Sequence, residues 1–101
     1  MKQTIIGLAP FAYEAITVAD AVVGLTAATY TQTGYAVQAF ITLESAQIRW
    51  RIDGTDPTSS EGHLLEIGQN LTLNDSQAVK NFRAIRTGSS SGVMKVTYLK
   101  G

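Results

Sequence analysis

Residues 48–58 read IRWRIDGTDPT, an alternating strand that runs directly into a turn. Ile48, Trp50 and Ile52 fall on one face of a strand with a period of two residues, and two arginines fall on the other face. The turn-forming pairs Asp-Gly and Asp-Pro then end the strand. We therefore expect one face of this strand to pack on a core and the other to meet water or a partner.

Short runs of the same alternating kind recur along the chain, separated by turn residues, and none of them has a convincing helical pattern. We predict eight strands, at residues 14–18, 23–30, 35–44, 46–53, 64–67, 70–73, 79–86 and 93–99. Seven or eight short strands in about 90 residues are typical of a sandwich of two antiparallel sheets. The chain is thus predicted to be all-β.

The predicted core consists of the large apolar residues of these strands. Its aromatic members are Phe40, Trp50, Phe82 and Tyr98, and its other members are Val37, Ile41, Leu43, Leu71, Leu73, Met94 and Val96. Phe40 and Ile41 are neighbours on one strand and have opposite parity, so they cannot both face inward.

Residues 1–12 form a predicted N-terminal apolar arm, distinct from a sandwich domain at 13–101. A glycine and a proline break the strand pattern there, yet the segment is too apolar for a solvated tail. Its apolar residues include Ile5, Ile6, Leu8 and Phe11. Two interpretations stay open and are compatible: an edge strand on its own domain, or an arm that docks onto a neighbouring subunit.

Composition excludes several kinds of site. The chain has 101 residues, eight basic and eight acidic residues and no cysteine, which excludes disulfides, cysteine-ligated metals and thiol chemistry. The balanced charge predicts no binding to nucleic acid, and no run approaches the roughly 20 apolar residues of a membrane span. A local patch of Arg49, Arg51, Arg83 and Arg86 could still meet an acidic partner; the alternative is a solvated face with weak ion pairs.

The acidic turn and the residues that follow it offer ligands or side chains for two kinds of chemistry. A Ser-His-Asp relay would use the single histidine, His63, with a serine at 59 or 60 and an aspartate at 53 or 56, but no nucleophile elbow accompanies it. A calcium site would use Asp53, Asp56 and Glu61, whose spacing matches no EF-hand loop. We therefore expect a protein that is not an enzyme and needs no metal or other cofactor.

The segment 48–58, together with GHLL at 62–65, FRAIR at 82–86 and VTY at 96–98, resembles a class of small virion proteins of tailed bacteriophages. In that class an R-W-R-x-D-G-T-x-P-T segment is followed by a glycine, a hydrophobic pair, an F-R-A-I-R-like strand and a terminal V-T-Y strand. The resemblance covers residues 35–101. A weaker similarity is to the non-catalytic immunoglobulin-like domain at the C-terminus of chitobiase-type enzymes. Both resemblances imply an immunoglobulin-like sandwich.

The first resemblance implies a structural virion component, made in the host cytoplasm. We infer a capsid decoration protein that bridges copies of the major capsid protein and lies beside copies of itself on a symmetric lattice. Its partner-binding residues would be Ile5, Ile6, Leu8 and Phe11 of the arm and the four arginines named above. The alternatives are a tail or neck ring subunit, and a carbohydrate-binding module with an aromatic platform at Tyr30, Tyr35 or Trp50.

Overall fold

The computed structural model describes residues 7–101, which form two antiparallel sheets of four strands each. The elements are β1 (Ala9–Val18), β2 (Val23–Gly24), α1 (Ala27–Tyr30), β3 (Gln38–Glu44), β4 (Ile48–Arg51), β5 (His63–Leu65), β6 (Asn70–Leu73), α2 (Ser76–Asn81), β7 (Arg83–Arg86) and β8 (Gly92–Lys100). The first sheet has the strand order β1-β8-β3-β6, and the second has the order β2-β7-β4-β5. The predicted all-β sandwich is confirmed, and its architecture is consistent with an immunoglobulin-like fold.

The core lies between the two sheets because each strand places alternate residues inward. Ile41 and Leu43 on β3 and Met94 and Val96 on β8 are buried in the first sheet. Ile48 on β4 and Ala84 on β7 face them from the second sheet. The core also includes Ile16, Val18, Leu25, Tyr30, Ala36, Ala39, Leu65, Leu73, Val79, Phe82 and Tyr98.

Two members of the predicted core are on the surface. Phe40 is 41% exposed and Val37 is 37% exposed. Phe40 lies between buried Ala39 and Ile41, so the alternation of β3 turns its ring to solvent. Trp50 and Leu71 are only partly buried, at the margin of the core.

Two short helices correct the expectation of a chain without helix. The first is α1, a single turn inside the predicted strand 23–30, where Tyr30 N–H donates to the Thr26 carbonyl at 3.0 Å. The second is α2, which occupies the start of the predicted strand 79–86. Asp75 caps it by accepting a hydrogen bond from Ala78 N–H at 2.7 Å. Val79 is compatible with both the strand pattern and the helix pattern, and in the structure it is a buried residue of α2.

The first strand starts earlier than predicted. β1 pairs with β8 along its length, from Ala9 opposite Lys100 to Val18 opposite Gly92. Residues 9–12 of the predicted arm therefore belong to the sheet, and β1 is one of its two edges. The register shifts between Pro10 and Ala12, so Phe11 lies in an irregularity of the strand.

Inside the sandwich, β1 and β8 are joined by a polar contact as well as by the sheet. The Tyr98 hydroxyl donates to the Glu14 carboxylate at 2.5 Å, and the same carboxylate oxygen accepts from Thr26 N–H at 3.2 Å. Tyr98 is fully buried, and burial raises the pKa of its hydroxyl above the ordinary value of 10.0. The half-buried carboxylate is thereby paired with two donors.

Candidate functional site

Three of the four predicted arginines share the outer face of the second sheet. In the register of β4 and β7, Arg49 lies opposite Ile85 and Arg51 lies opposite Arg83. These positions alternate with the inward-facing pair of Trp50 and Ala84. We call this surface, with Arg49, Arg51 and Arg83, the arginine face.

Arg86 is not part of the arginine face. It lies opposite buried Ile48, on the inward side of β7, where its Nη1 donates to the Ser91 hydroxyl at 3.2 Å. Its Nε is buried without a hydrogen-bond partner among residues 7–101. The prediction grouped Arg83 with Arg86, but residues three apart on a strand lie on opposite faces.

The arginines of this face differ in how they are held. Arg49 donates from Nη1 to the Gly62 carbonyl at 2.8 Å and from Nε to the Ser59 carbonyl at 3.3 Å, which fastens the 52–62 segment to β4. Arg83 donates from Nη1 to the carbonyls of Phe82 at 2.7 Å and Lys80 at 3.2 Å. Neither guanidinium has a carboxylate partner in the described part of the chain. Both therefore keep an uncompensated positive charge at a fixed position.

Arg51 is paired with the acidic turn. Its Nε and Nη2 donate to the two carboxylate oxygens of Asp53, at 3.0 and 2.5 Å. The hydrogen bond to Arg51 lowers the pKa of Asp53 from 3.8 to about 2. Arg51 also lies directly opposite Arg83, an arrangement of like charges that is unfavourable in a sheet. Asp53 thus pairs with Arg51 alone, and the charge of Arg83 stays without a carboxylate partner among residues 7–101.

Removal of this guanidinium should restore the ordinary titration of Asp53. In the Arg51→Gln variant we expect the pKa of Asp53 to rise from about 2 toward 3.8, measured by a side-chain carboxyl NMR titration. A folded-state pKa below the unfolded value gives a stability contribution that is complete above pH 3.8 and is lost as the pH falls through about 2. The Arg49→Gln variant is the control and should leave the pKa of Asp53 low. A value near 2 in Arg51→Gln would contradict the assignment.

A cleft of about 400 Å³ opens where β4 ends. Its lining residues are Arg51, Ile52, Asp53, Glu61, Gly62 and His63. Gly62 has a φ of 135°, and a Cβ there would lie 3.2 Å from the Trp50 carbonyl oxygen, so this position requires glycine. The cleft is formed by the turn of the motif folding back on its own strand.

The residues considered for catalysis and calcium binding lie around this cleft without forming either constellation. The His63 ring packs on Trp50, with 4.8 Å between the ring centroids, and within residues 7–101 it makes no hydrogen bond to a serine or an aspartate. No group of three or more acidic or histidine side chains in the described range is arranged to hold a metal ion. Thr58 and Glu61 instead exchange backbone hydrogen bonds within the turn.

The predicted arm residues have separate positions. Ile5 and Ile6 lie outside the described residues. Leu8 is 37% exposed, just before β1. Phe11 packs partly against the core, with Lys100 Nζ 5.4 Å from its ring centroid, so its ring is engaged by its own domain.

The three residues predicted for a carbohydrate platform differ in exposure, and the rings of Tyr30 and Tyr35 pack edge to face with 5.7 Å between their centroids. Tyr30 is buried, with its ring centroid 5.9 Å from that of Tyr98, and Trp50 is partly covered by Phe82 and His63. Tyr35 is exposed. The most exposed aromatic side chain of the described residues is instead Tyr13, at 60%, which was not a predicted site residue, and Phe40, a predicted core residue, also faces outward. The alternation of β1 and β3 was the available signal for both.

Comparisons of the chain with protein-family models, with curated proteins and with solved structures found no match. Neither helix in residues 7–101 has the length and hydrophobicity needed to cross a membrane.

Proposed function

We propose that this protein is a structural component of a bacteriophage virion, and specifically a capsid decoration protein that binds the major capsid protein. The observation that supports the proposal is the arginine face. Residues 48–58, which carry the resemblance to phage virion proteins, supply two of its three arginines and Asp53, which pairs with Arg51. The segment is thus a preorganised surface feature, as a docking element requires.

The arginine face suits a protein partner better than a small substrate. Arg49 and Arg83 are held by backbone carbonyls, so binding would cost little further side-chain entropy. Leu64, which is 44% exposed and lies opposite Arg49 on β5, adds an apolar contact beside the charges. Arginines around apolar contacts are characteristic of protein interfaces.

The arginine face alone offers few contacts, and assembly on a particle would add avidity through many copies. Each copy offers a few fixed contacts, and a symmetric lattice of capsid subunits makes many copies bind under the same geometry. Leu8 lies beside the first strand, at the edge of the other sheet, and the proposed arm contacts would extend from there. These features support the proposed non-enzymatic bridging role between capsid subunits.

The proposal is tested by counting this chain in purified particles. Quantitative mass spectrometry should find a number of copies equal to that of the major capsid protein or a large simple fraction of it. A few to a dozen copies per particle would indicate a tail or neck ring instead. Absence from the particle would refute the virion assignment.

The arginine face is tested by rebinding the protein to particles that lack it. We expect Arg83→Gln and Arg49→Gln each to weaken binding about tenfold or more, the equivalent of about 1.4 kcal/mol, because each removes a fixed charge from the interface. Lys95→Gln is the matched control, since it removes one positive charge from the outer face of the first sheet, where Lys95 pairs with Glu44 away from the arginines. Equal binding by all three variants would remove the arginine face from the interface.

A further inference from the structure

The outer face of the first sheet carries two exposed aromatic rings that the proposed capsid contact does not use. Tyr13 on β1 is 60% exposed and Phe40 on β3 is 41% exposed. Neither ring supports the core, because their strand neighbours supply the inward-facing side chains. Scattered apolar side chains on a surface are ordinary, whereas large exposed rings grouped on one sheet face mark a candidate binding surface.

The register places the two rings in one line across the strands. Tyr13 lies opposite Thr97 on β8, Thr97 lies opposite Phe40, and Phe40 lies opposite Thr72 on β6. We call these four residues the aromatic row. Because neighbouring strands are about 4.8 Å apart, the rings are separated by about 10 Å, with a threonine hydroxyl between them and another beyond. Ring and hydroxyl alternate along the row.

The surroundings of the aromatic row carry no net charge and mix polar side chains with apolar ones, the latter including exposed Ala15 on β1 and partly exposed Leu99 on β8. Thr42 and Asn70 flank it on one side, and on the other side Gln38 Nε2 donates to Asn74 Oδ1 at 3.0 Å. The two charged residues of this face, Lys95 and Glu44, are 3.5 Å apart and neutralise each other. The face therefore complements an uncharged ligand that is rich in hydrogen-bonding groups.

We propose that the aromatic row is a binding site for a neutral oligosaccharide that lies across the strands of the first sheet. A pyranose ring presents an apolar C–H face that packs on an aromatic ring and hydroxyl groups at its rim that hydrogen-bond to threonine and amide side chains. Two rings about 10 Å apart would seat two sugar units of one chain. Thr97, between them, would contact the connecting part of that chain.

A second copy of this protein is the less suitable occupant of the same face. The cores of protein interfaces are continuous apolar patches, typically burying about 800 Å² per partner. Here hydroxyl groups separate the rings, and burial against another protein would leave those hydroxyls in need of matched partners. A sugar chain supplies such partners along its length.

The aromatic row and the proposed capsid contact lie on different sides of the sandwich. The arginine face is the outer side of the second sheet, and the aromatic row is on the outer side of the first, with the core between them. A molecule attached through the arginine face would direct the aromatic row outward. Both surfaces can therefore be occupied together, and sugar binding can be tested on the isolated protein.

The test is an NMR titration of the isolated full chain with four neutral probes: cellohexaose, chitohexaose, laminarihexaose and isomaltohexaose. We expect at least one probe to shift the backbone amide signals of β1, β3 and β8 around Tyr13, Phe40 and Thr97, with a dissociation constant on the order of 1 mM. Binding should be insensitive to salt because no ion pair is involved. No shift with any of the four probes, or shifts confined to the arginine face or the cleft, would overturn the proposal.

Matched variants make the assignment specific. Tyr13→Ala and Phe40→Ala should each weaken binding about tenfold, whereas Tyr35→Ala, which removes an exposed tyrosine outside the aromatic row, should leave it unchanged. Because both ring positions are exposed, the variants should keep the amide spectrum of the folded sandwich. Sedimentation of the protein without sugar tests whether a second copy of the protein binds to this face. Self-association that is abolished by Tyr13→Ala would show a second copy on this face and overturn the oligosaccharide assignment.

Discussion

Alanine in place of Gly92 should destabilise the sandwich by about 3 kcal/mol, the upper part of the range for overpacking a core. Gly92 is buried at the start of β8, where a Cβ would lie 2.6 Å from the Ala46 carbonyl oxygen and 2.9 Å from Ile48 Cγ2. The first of these neighbours is backbone, in the short connection between β3 and β4, and cannot move aside as a side-chain end can. In thermal unfolding, Tm should fall by at least about 10 °C.

Gly88→Ala is the matched control for this prediction. Gly88 is exposed in the connection between β7 and β8, and a Cβ there has no neighbour within 4 Å. The free energy of unfolding of this variant should differ from that of the original protein by less than about 0.5 kcal/mol. Equal Tm values for the two variants would contradict the close approach of β8 to the 45–47 connection.

Phe82→Ala should be the most destabilising single truncation, at about 3–5 kcal/mol. Phe82 is fully buried between α2 and β7, and its ring stacks on Trp50 with 6.1 Å between centroids. Loss of the ring removes its apolar burial and leaves a cavity beside the indole. Chemical denaturation should report the lower stability, and Trp50 fluorescence should shift to the red in the native state as water reaches the indole.

The control uses the same substitution on the surface. Phe40→Ala removes an identical side chain from the outer face of the first sheet, where 41% of the residue is exposed, and should change stability by less than about 0.5 kcal/mol. It should leave the Trp50 emission unchanged. A destabilisation as large as that of Phe82→Ala would mean that Phe40 belongs to the core.

The fold was largely predictable because a period of two residues leaves a clear pattern in a half-buried strand. β6 has the predicted bounds, β3, β4 and β7 fall inside predicted strands, and β8 extends the predicted strand 93–99 by one residue at each end. The two helices were not predicted because each is too short to show a helical period in the sequence. Both depend on backbone and cap contacts at their first turn. Phe40 was wrongly assigned to the core because its hydrophobicity favours burial. Its position in the alternation of β3 places it on the outer face, and this position decides its exposure.

The candidate surfaces were predictable only in part, because they depend on which strands become neighbours. The alternation in β4 correctly put Arg49 and Arg51 on one face, but their juxtaposition with Arg83 needed the pairing of β4 with β7. The aromatic row required three strand pairings and a shift of register near Pro10, none of which leaves a local signal. Sequence patterns indicate which residues share a face of one strand. The order of strands in the sheet decides which residues of different strands become neighbours.

The pairing of the first strand with the last also governs how this chain acquires its structure. The hydrogen bond between Tyr98 and Glu14 joins residues 84 positions apart, and within residues 7–101 β1 pairs with β8 alone. During translation, β1 leaves the ribosome early and must wait, unpaired, until nearly the whole domain has been made. Its apolar edge is then free to associate with other nascent chains, so high-level expression should favour aggregation during synthesis over loss of the finished fold.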